Sequence, residues 1–395
     1  MPSPALPPEL AARRRRARLT YGAVVLVALL AIGLTMGLVI GTGESAHATL
    51  RTSTAAPAVP GGTLRPSPTE VWRTGDRAAS GNPLWIGTAI TWSEHTLAGR
   101  DATTGEIRWS YTRTDLSICD AAQRDGRAFV LFGRAGDCDE VSTFDAQTGA
   151  RGWFRTLPDD GEGRLLFGAT GLVIAYPTSF HAMTVAGGID RFPSVPTTGS
   201  DCRFTAVVPG DTGVLASERC ADGEHLAMWS NDGAEGQPQR VWRVSITDGV
   251  TAVAETAVSA FGYDPVSGAL TRYSVDKGIA QSPVTLDPTT TGPPGSALRL
   301  GSDLLLALGD RVYLLSDQGA LRWSASAAGA ASATDGQGTR VLVPTADAVQ
   351  DIEVAGGTTV STTTLPAASG AGGLAVYAAG SGLLVADTGG LAYLR

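Results

Sequence analysis

From Thr69 onward the apolar residues come in short runs, and most runs are bounded by Gly, Asp, Ser or Thr. A recurring unit is a short apolar stretch, a Gly-bearing turn and a more strongly apolar stretch. LWIGTAITW around Gly87 resembles LLFGATGLVIAY around Gly168, and LRLGSDLLLAL around Gly301 resembles VYAAGSGLLVA around Gly380. Looser versions centre on Gly126, Gly210, Glu255 and Gly336. Short apolar runs separated by Gly turns predict antiparallel strands rather than helices. The eight centres lie 35 to 46 residues apart.

A second pattern follows each hairpin. Asp101-Ala-Thr-Thr-Gly105-Glu-Ile-Arg-Trp109 matches Asp145-Ala-Gln-Thr-Gly149-Ala-Arg-Gly-Trp153. Weaker copies keep the step from Gly to an aromatic residue, at Gly188 to Phe192 and Gly319 to Trp323. In such a stretch the Asp side chain caps a tight turn and the Gly supplies positive φ. Asp264 is placed in the same kind of turn. The Trp that follows opens another strand. Each unit therefore predicts four short strands in about 40 residues, the blade of a β-propeller.

Eight units predict an all-β, eight-bladed propeller of four-stranded antiparallel blades over residues 69–395, with seven blades as the alternative. The last unit supplies three strands and then the chain ends, whereas the body opens with the isolated strand Thr-Glu-Val-Trp72-Arg. Trp72 aligns with Trp109, Trp153, Trp242 and Trp323, so the first strand is expected to complete the last blade. A closed ring leaves no open sheet edge between its ends. The five Trp are expected to pack between blades.

The N-terminus follows a different pattern. Gly22 to Gly41 is a run of twenty residues without a charge, long enough as a helix to cross about 30 Å of hydrocarbon. Arg13, Arg14, Arg15, Arg16 and Arg18 precede it, which places residues 1–21 in the cytoplasm as a basic tail and the body outside. The alternative is secretion after cleavage following Ala48, in an Ala-His-Ala context. The run is longer than a usual signal-peptide core, which favours a retained anchor at 22–41 in contact with the bilayer. Gly33, Gly37 and Gly41 offer GxxxG steps through which the helix could form a homodimer. Residues 42–68 are rich in Ala, Thr, Ser, Pro and Gly, and predict a flexible spacer.

Composition sharpens this picture. Gly numbers 50 of 395 residues and charged residues make up only 17%, as a chain of many tight turns requires. The net charge is −8; the first 21 residues carry +4, so the remainder carries −12. An acidic body excludes ordinary nucleic-acid binding, which needs clustered Lys and Arg. The four Cys, Cys119, Cys138, Cys202 and Cys220, form two local pairs with no CxxC. An even count in an exported chain predicts disulfides, and no zinc site.

The DATTGEIRW and DAQTGARGW stretches resemble the repeat of the quinoprotein-like, or PQQ-like, propellers. The resemblance covers residues 69–395, with two close repeats and the rest degenerate. The layout of basic tail, single anchor, spacer and propeller is similar to membrane proteins of high-G+C Gram-positive bacteria. Resemblance of fold does not imply the quinone. The quinone enzymes carry two adjacent Cys beside the cofactor and a Ca²⁺ site next to it, and no two Cys are adjacent here. Placed on blades, Cys119 and Cys202 start first strands while Cys138 and Cys220 lie at second turns, so each pair is expected to close within its own blade.

No GxGxxG, P-loop, HExxH, EF-hand or GxSxG pattern is present. The acidic groups Asp137-Cys-Asp139-Glu140 and Asp159-Asp160-Gly-Glu162 read as solvated loop charge. No catalytic, cofactor or metal residue is assigned. The expectation is a non-enzymatic interaction platform for a protein partner in the cell envelope. The alternative is an envelope enzyme or small-ligand sensor using the propeller channel.

Overall fold

The computed structural model describes residues 44–59, 61–158, 161–169, 171–230, 238–286, 294–334, 338–366 and 373–395. The predicted tail and membrane span, the Gly33/Gly37/Gly41 steps, Gly336, Asp159 and Asp160 lie outside them. Among the described residues no helix is long and apolar enough to cross a membrane. The chain divides into a small unit, residues 1–49 with 113–115, and a large unit comprising the rest. In the small unit the described part is a four-residue helix, Glu44–His47, the beginning of a short strand, and residues 113–115.

The large unit is a ring of eight sheets. Blade 1 covers 77–113, blade 2 117–156, blade 3 164–196, blade 4 203–246, blade 5 251–285, blade 6 294–326, blade 7 332–364 and blade 8 374–394. The sheets are built from antiparallel neighbours in chain order, strand one innermost and strand four toward the outside. The fourth strand of blade 8 is Glu70–Thr74, paired antiparallel with Gly390–Leu394. The ends are further joined by Thr69 N–H donating to Arg395 O (3.1 Å) and Arg395 N–H donating to Thr69 O (2.9 Å). Arg73 pairs with Asp387 of the same blade at 3.1 Å.

Seven of the predicted hairpin centres fall within the described residues, and each lies at the turn between strands one and two of its blade. The second and third strands are buried almost throughout, as in Arg127–Arg134 and Gly213–Cys220. They are covered on both faces by neighbouring blades, which explains continuous apolar runs where a one-sided sheet would alternate.

Three expectations need correction. Asp264 caps the turn between strands two and three of blade 5, not the third turn. Its DPVSG sequence has the same local chemistry but stands at the other end of the blade. Second, part of the predicted spacer is ordered against the ring. Ser53 N–H donates to Thr148 O (2.9 Å), Arg108 donates to Thr54 O (3.0 Å) and Ala56 is buried. Hydrogen bonds to its backbone hold this stretch, together with Val59 and Leu64, which pack against apolar clusters of the ring.

The third concerns the innermost strands of blades 1 and 7, which are broken. Ser80–Gly81 leaves blade 1 to pair in parallel with Ser117–Arg124 of blade 2. Gly329–Ala330 pairs in parallel with Leu374–Ala379 of blade 8, before Ser332–Ala333 pairs within blade 7. Glycine permits both crossings: a Cβ on Gly81 would stand 2.7 Å from Gln123 O, and one on Gly329 would have no room beside Leu374.

Candidate functional site

The ring has two ends. Strand direction puts the first and third turns of every blade at one end, and the second turns with the blade-to-blade connections at the other. Both disulfides, Cys119–Cys138 and Cys202–Cys220, lie at this second end, the disulfide face. Cys119 stands near the start of the innermost strand of blade 2 and Cys138 near the start of its third strand. Cys202 just precedes the innermost strand of blade 4, and Cys220 ends its second strand.

The opposite face carries the D–G–W elements. Asp101 Oδ1 accepts from Thr103 N–H (2.9 Å), Thr103 Oγ1 (2.7 Å) and Thr104 N–H (3.1 Å). Asp145 does the same for Gln147 and Thr148. Both are caps, with no side-chain oxygen gathered toward a ligand. Trp72, Trp109, Trp153, Trp242 and Trp323 all stand on the fourth strands of their blades. Each indole N–H donates to a carbonyl in the next blade: Ala102 (3.1 Å), Ala146 (3.0 Å), Val185 (3.2 Å), Val275 (2.7 Å) and Val354 (2.8 Å). The ring of each Trp lies against the Gly of that blade's third turn. A Cβ on Gly105, Gly149, Gly188, Gly278 or Gly357 would stand 2.6–2.7 Å from the indole. All five Gly have positive φ, between 59° and 76°. One residue thus meets two demands, a left-handed turn and a flat contact.

The innermost strands of blades 3 to 6 do not pair with one another, and a cavity of about 670 Å³ opens between them. Leu166, Phe167, Val208, Val253, Leu306 and Leu308 supply its apolar wall. The volume lies within the range of small-molecule sites. Glu162, Arg164, Tyr176, Pro177 and Phe204 also line it, toward the disulfide face.

Both disulfide segments are tied to this rim. Tyr176 Oη donates to Cys138 O (2.6 Å), and Cys138 N–H donates to Gly161 O (3.1 Å). Gly163 passes so near that a Cβ there would lie 2.6 Å from Leu131 and 3.0 Å from Tyr176. On the other side, Phe204 follows Cys202 by two residues and its N–H donates to Pro177 O (2.8 Å). Asp120, next to Cys119, accepts from Leu165 N–H (2.8 Å) and so joins the innermost strands of blades 2 and 3. Burial raises the Asp120 carboxyl above the usual range, against the pull of those backbone bonds and of Arg164.

Two further polar clusters stand outside the cavity wall. On the opposite face Glu255, buried at the end of the innermost strand of blade 5, accepts from Thr212 Oγ1 (2.7 Å). Arg299 of blade 6 pairs with Asp211 at 3.2 Å. Burial, reinforced by Asp211 and opposed by the Thr212 bonds, pushes Glu255 up to about 7. On the disulfide face His225 bonds Asp222 (3.0 Å), and Arg243 approaches Cys220 Sγ (3.4 Å). Cys202, Glu218 and Cys220 lie together, as do Cys220, Asp222 and His225. Both groups rely on sulfurs already joined in a disulfide.

The composition of the inner strands hid the cavity. Leu166, Phe167 and Val208 read as core, because an apolar residue facing an axial cavity and one facing the next blade carry the same pattern. Glu162 was visible only as loop charge.

The fold and the site define a β-propeller with one braced face and an axial cavity. No family model matches the chain, and no curated protein matches it. Solved propellers share the ring. BamB from Moraxella catarrhalis is 17% identical with a TM-score of 0.52, over 83% of this chain and 99% of that chain. The computationally designed Ika8 protein is 13% identical with a TM-score of 0.59, over 84% and 99%. The dihydro-heme d1 dehydrogenase NirN, solved in complex with DHE, is 13% identical with a TM-score of 0.51, over 81% and 78%. At these identities the likeness is one of fold.

Proposed function

We propose that the chain is a membrane-anchored, extracytoplasmic and non-enzymatic platform that binds a protein partner in the cell envelope through its disulfide face. The observation that carries this reading is the convergence of both disulfide segments on one rim. The braced second turns hold that face in a fixed shape, which lowers the ordering cost of binding. The uncharged run at 22–41 and the basic residues before it support the anchor and its orientation. The PQQ-like resemblance and the BamB-like ring fit a platform that presents loops.

The test is in-cell cross-linking of the full chain with one charged substitution on each face. Val266 is 88% exposed in a second turn, and Val258 is 47% exposed in a first turn. Val266→Arg should abolish recovery of the cross-linked partner, and Val258→Arg should leave it intact. Equal recovery from both variants, or loss with Val258→Arg alone, would overturn the assignment of the face.

A further inference from the structure

The geometry points to a small-molecule site in the axial cavity: it takes an amphiphile whose apolar tail is followed first by an anionic and then by a cationic group, the order of a zwitterionic phospholipid head. This goes beyond the platform and does not depend on it.

Three observations converge. The wall is apolar, and half of it is only partly removed from solvent: Leu166, Phe167 and Val208 are half-buried, beside the buried Val253, Leu306 and Leu308, and face a cavity of about 670 Å³. Uncovered apolar surface costs roughly 25 cal/mol per Å², so an apolar occupant gains what an empty channel forgoes. Next, the two charged residues that line the cavity, Glu162 and Arg164, are exposed. Among the described residues neither side chain is held by a hydrogen bond or an ion pair, with each other or with any other group; the Arg164 guanidinium only faces Asp120 at longer range. They are available to a ligand, and their opposite signs favour a ligand with both charges.

The order of those charges follows from the chain. Arg164 begins the innermost strand of blade 3, and Glu162 precedes it by two residues, next to Gly161, whose carbonyl accepts from Cys138 N–H at the start of the third strand of blade 2, and so on the side away from the axis. Leu166 follows Arg164 by two residues, deeper along the same strand. From the inside outward the wall is therefore apolar, then cationic, then anionic. Its complement is tail, anion, cation. A simple anion would meet Glu162, and a simple cation would meet Arg164.

The experiment uses the full chain in nanodiscs, with empty nanodiscs subtracted, and calorimetric titration of short-chain probes that stay monomeric. Hexylphosphocholine has the tail–anion–cation order, and an N-hexyl sulfobetaine has the reverse. Hexyl phosphate and hexyltrimethylammonium carry single charges. Leucyl-leucine serves as a zwitterion of peptide origin. Hexylphosphocholine should bind at least roughly tenfold more tightly than each of the others, the scale of one charge-assisted contact. The double exchange Glu162→Arg with Arg164→Glu alters only exposed side chains and should reverse the preference between hexylphosphocholine and the sulfobetaine. Val208→Trp, checked for an unchanged circular dichroism spectrum, should abolish binding of both. Equal affinity for the two orders, or a preference that survives the exchange, overturns the head-group assignment. Tight binding of leucyl-leucine alone overturns the lipid order in favour of a peptide. Binding that persists in folded Val208→Trp overturns the site. None of these readouts involves a protein partner, so the platform and the cavity stand or fall separately.

Discussion

Gly149→Ala isolates the contact that repeats around the ring. The residue has φ of +72°, and an added Cβ would meet Trp109 at 2.7 Å. Trp109 is fully buried and bonded to Ala146 O, so it has little freedom to withdraw. An Ala in the left-handed region costs about 1–2 kcal/mol, and overpacking adds about 1–3 kcal/mol. Together these give roughly 2–5 kcal/mol. Unfolding entropy of about 2.1 cal/mol/K per residue over some 330 residues means about 1.4 °C per kcal/mol. A fall of roughly 3–7 °C is expected in differential scanning calorimetry. Gly301→Ala is the matched control. Gly301 has φ of +62° but open space where its Cβ would stand. It should suffer only the backbone cost, roughly 1–3 °C. If Gly149→Ala and Gly301→Ala fall by the same amount, the Trp–Gly contact contributes nothing and the inter-blade reading of the motif is wrong.

The disulfides close loops of 19 and 18 residues, so Cys202→Ala with Cys220→Ala should cost about 3 kcal/mol in the chain-entropy model; an unchanged denaturant midpoint would argue against it. Glu255 is protonated up to about pH 7, against 4.5 for the free side chain. Its raised folded value makes the native state bind the extra proton, so stability should fall by about 3 kcal/mol as pH rises from 4.5 to 7 and stay level above. Glu255→Gln should flatten that slope in urea melts, and an unaltered slope would refute the role of this carboxyl. Trp72→Ala combined with Arg73→Ala removes the indole bond to Ala102 and the pair with Asp387. Hydrogen exchange should then rise first in residues 374–394, and a uniform rise around the ring would count against a latch there.

What was legible depended on whether a demand is local. A third turn needs its cap and its positive φ within five residues, so Asp101 to Gly105 and Asp145 to Gly149 stood out. The unmatched first strand was visible because counting strands is a local operation repeated eight times, and Glu70–Thr74 lies on Gly390–Leu394. Pairing of the Cys followed once the blades were placed. Asp264 misled because an Asp-capped Gly turn has the same chemistry at either end of a blade. The crossings at Ser80–Gly81 and Gly329–Ala330 were hidden, since two paired residues leave no periodicity. The cavity was hidden for a further reason: its shape depends on four inner strands spread over more than a hundred residues, from Arg164 to Leu300.

Those crossings help explain where the cavity lies. Parallel pairing brings backbones to about 4.8 Å, and the innermost strands are paired in this way between blades 1 and 2 and between blades 7 and 8. Both links depend on residues with little or no side chain, Ser80, Gly81, Gly329 and Ala330. Blades 3 to 6 have intact innermost strands, and these do not pair. Side chains, not backbone hydrogen bonds, must fill the distance between them, and Leu166, Phe167, Val208 and Val253 leave it partly open. The Trp contacts show a related unevenness. They join blade 8 to 1, 1 to 2, 2 to 3, 4 to 5 and 6 to 7. Blade 3 has Phe192 on its outermost strand, and at the junction of blades 5 and 6 Gly319 meets Phe261 while Arg272 donates to Gln318 O (2.7 Å). The cavity thus lies in an arc whose inner strands carry no backbone links to one another, and the disulfides in blades 2 and 4 brace its rim from either side of blade 3.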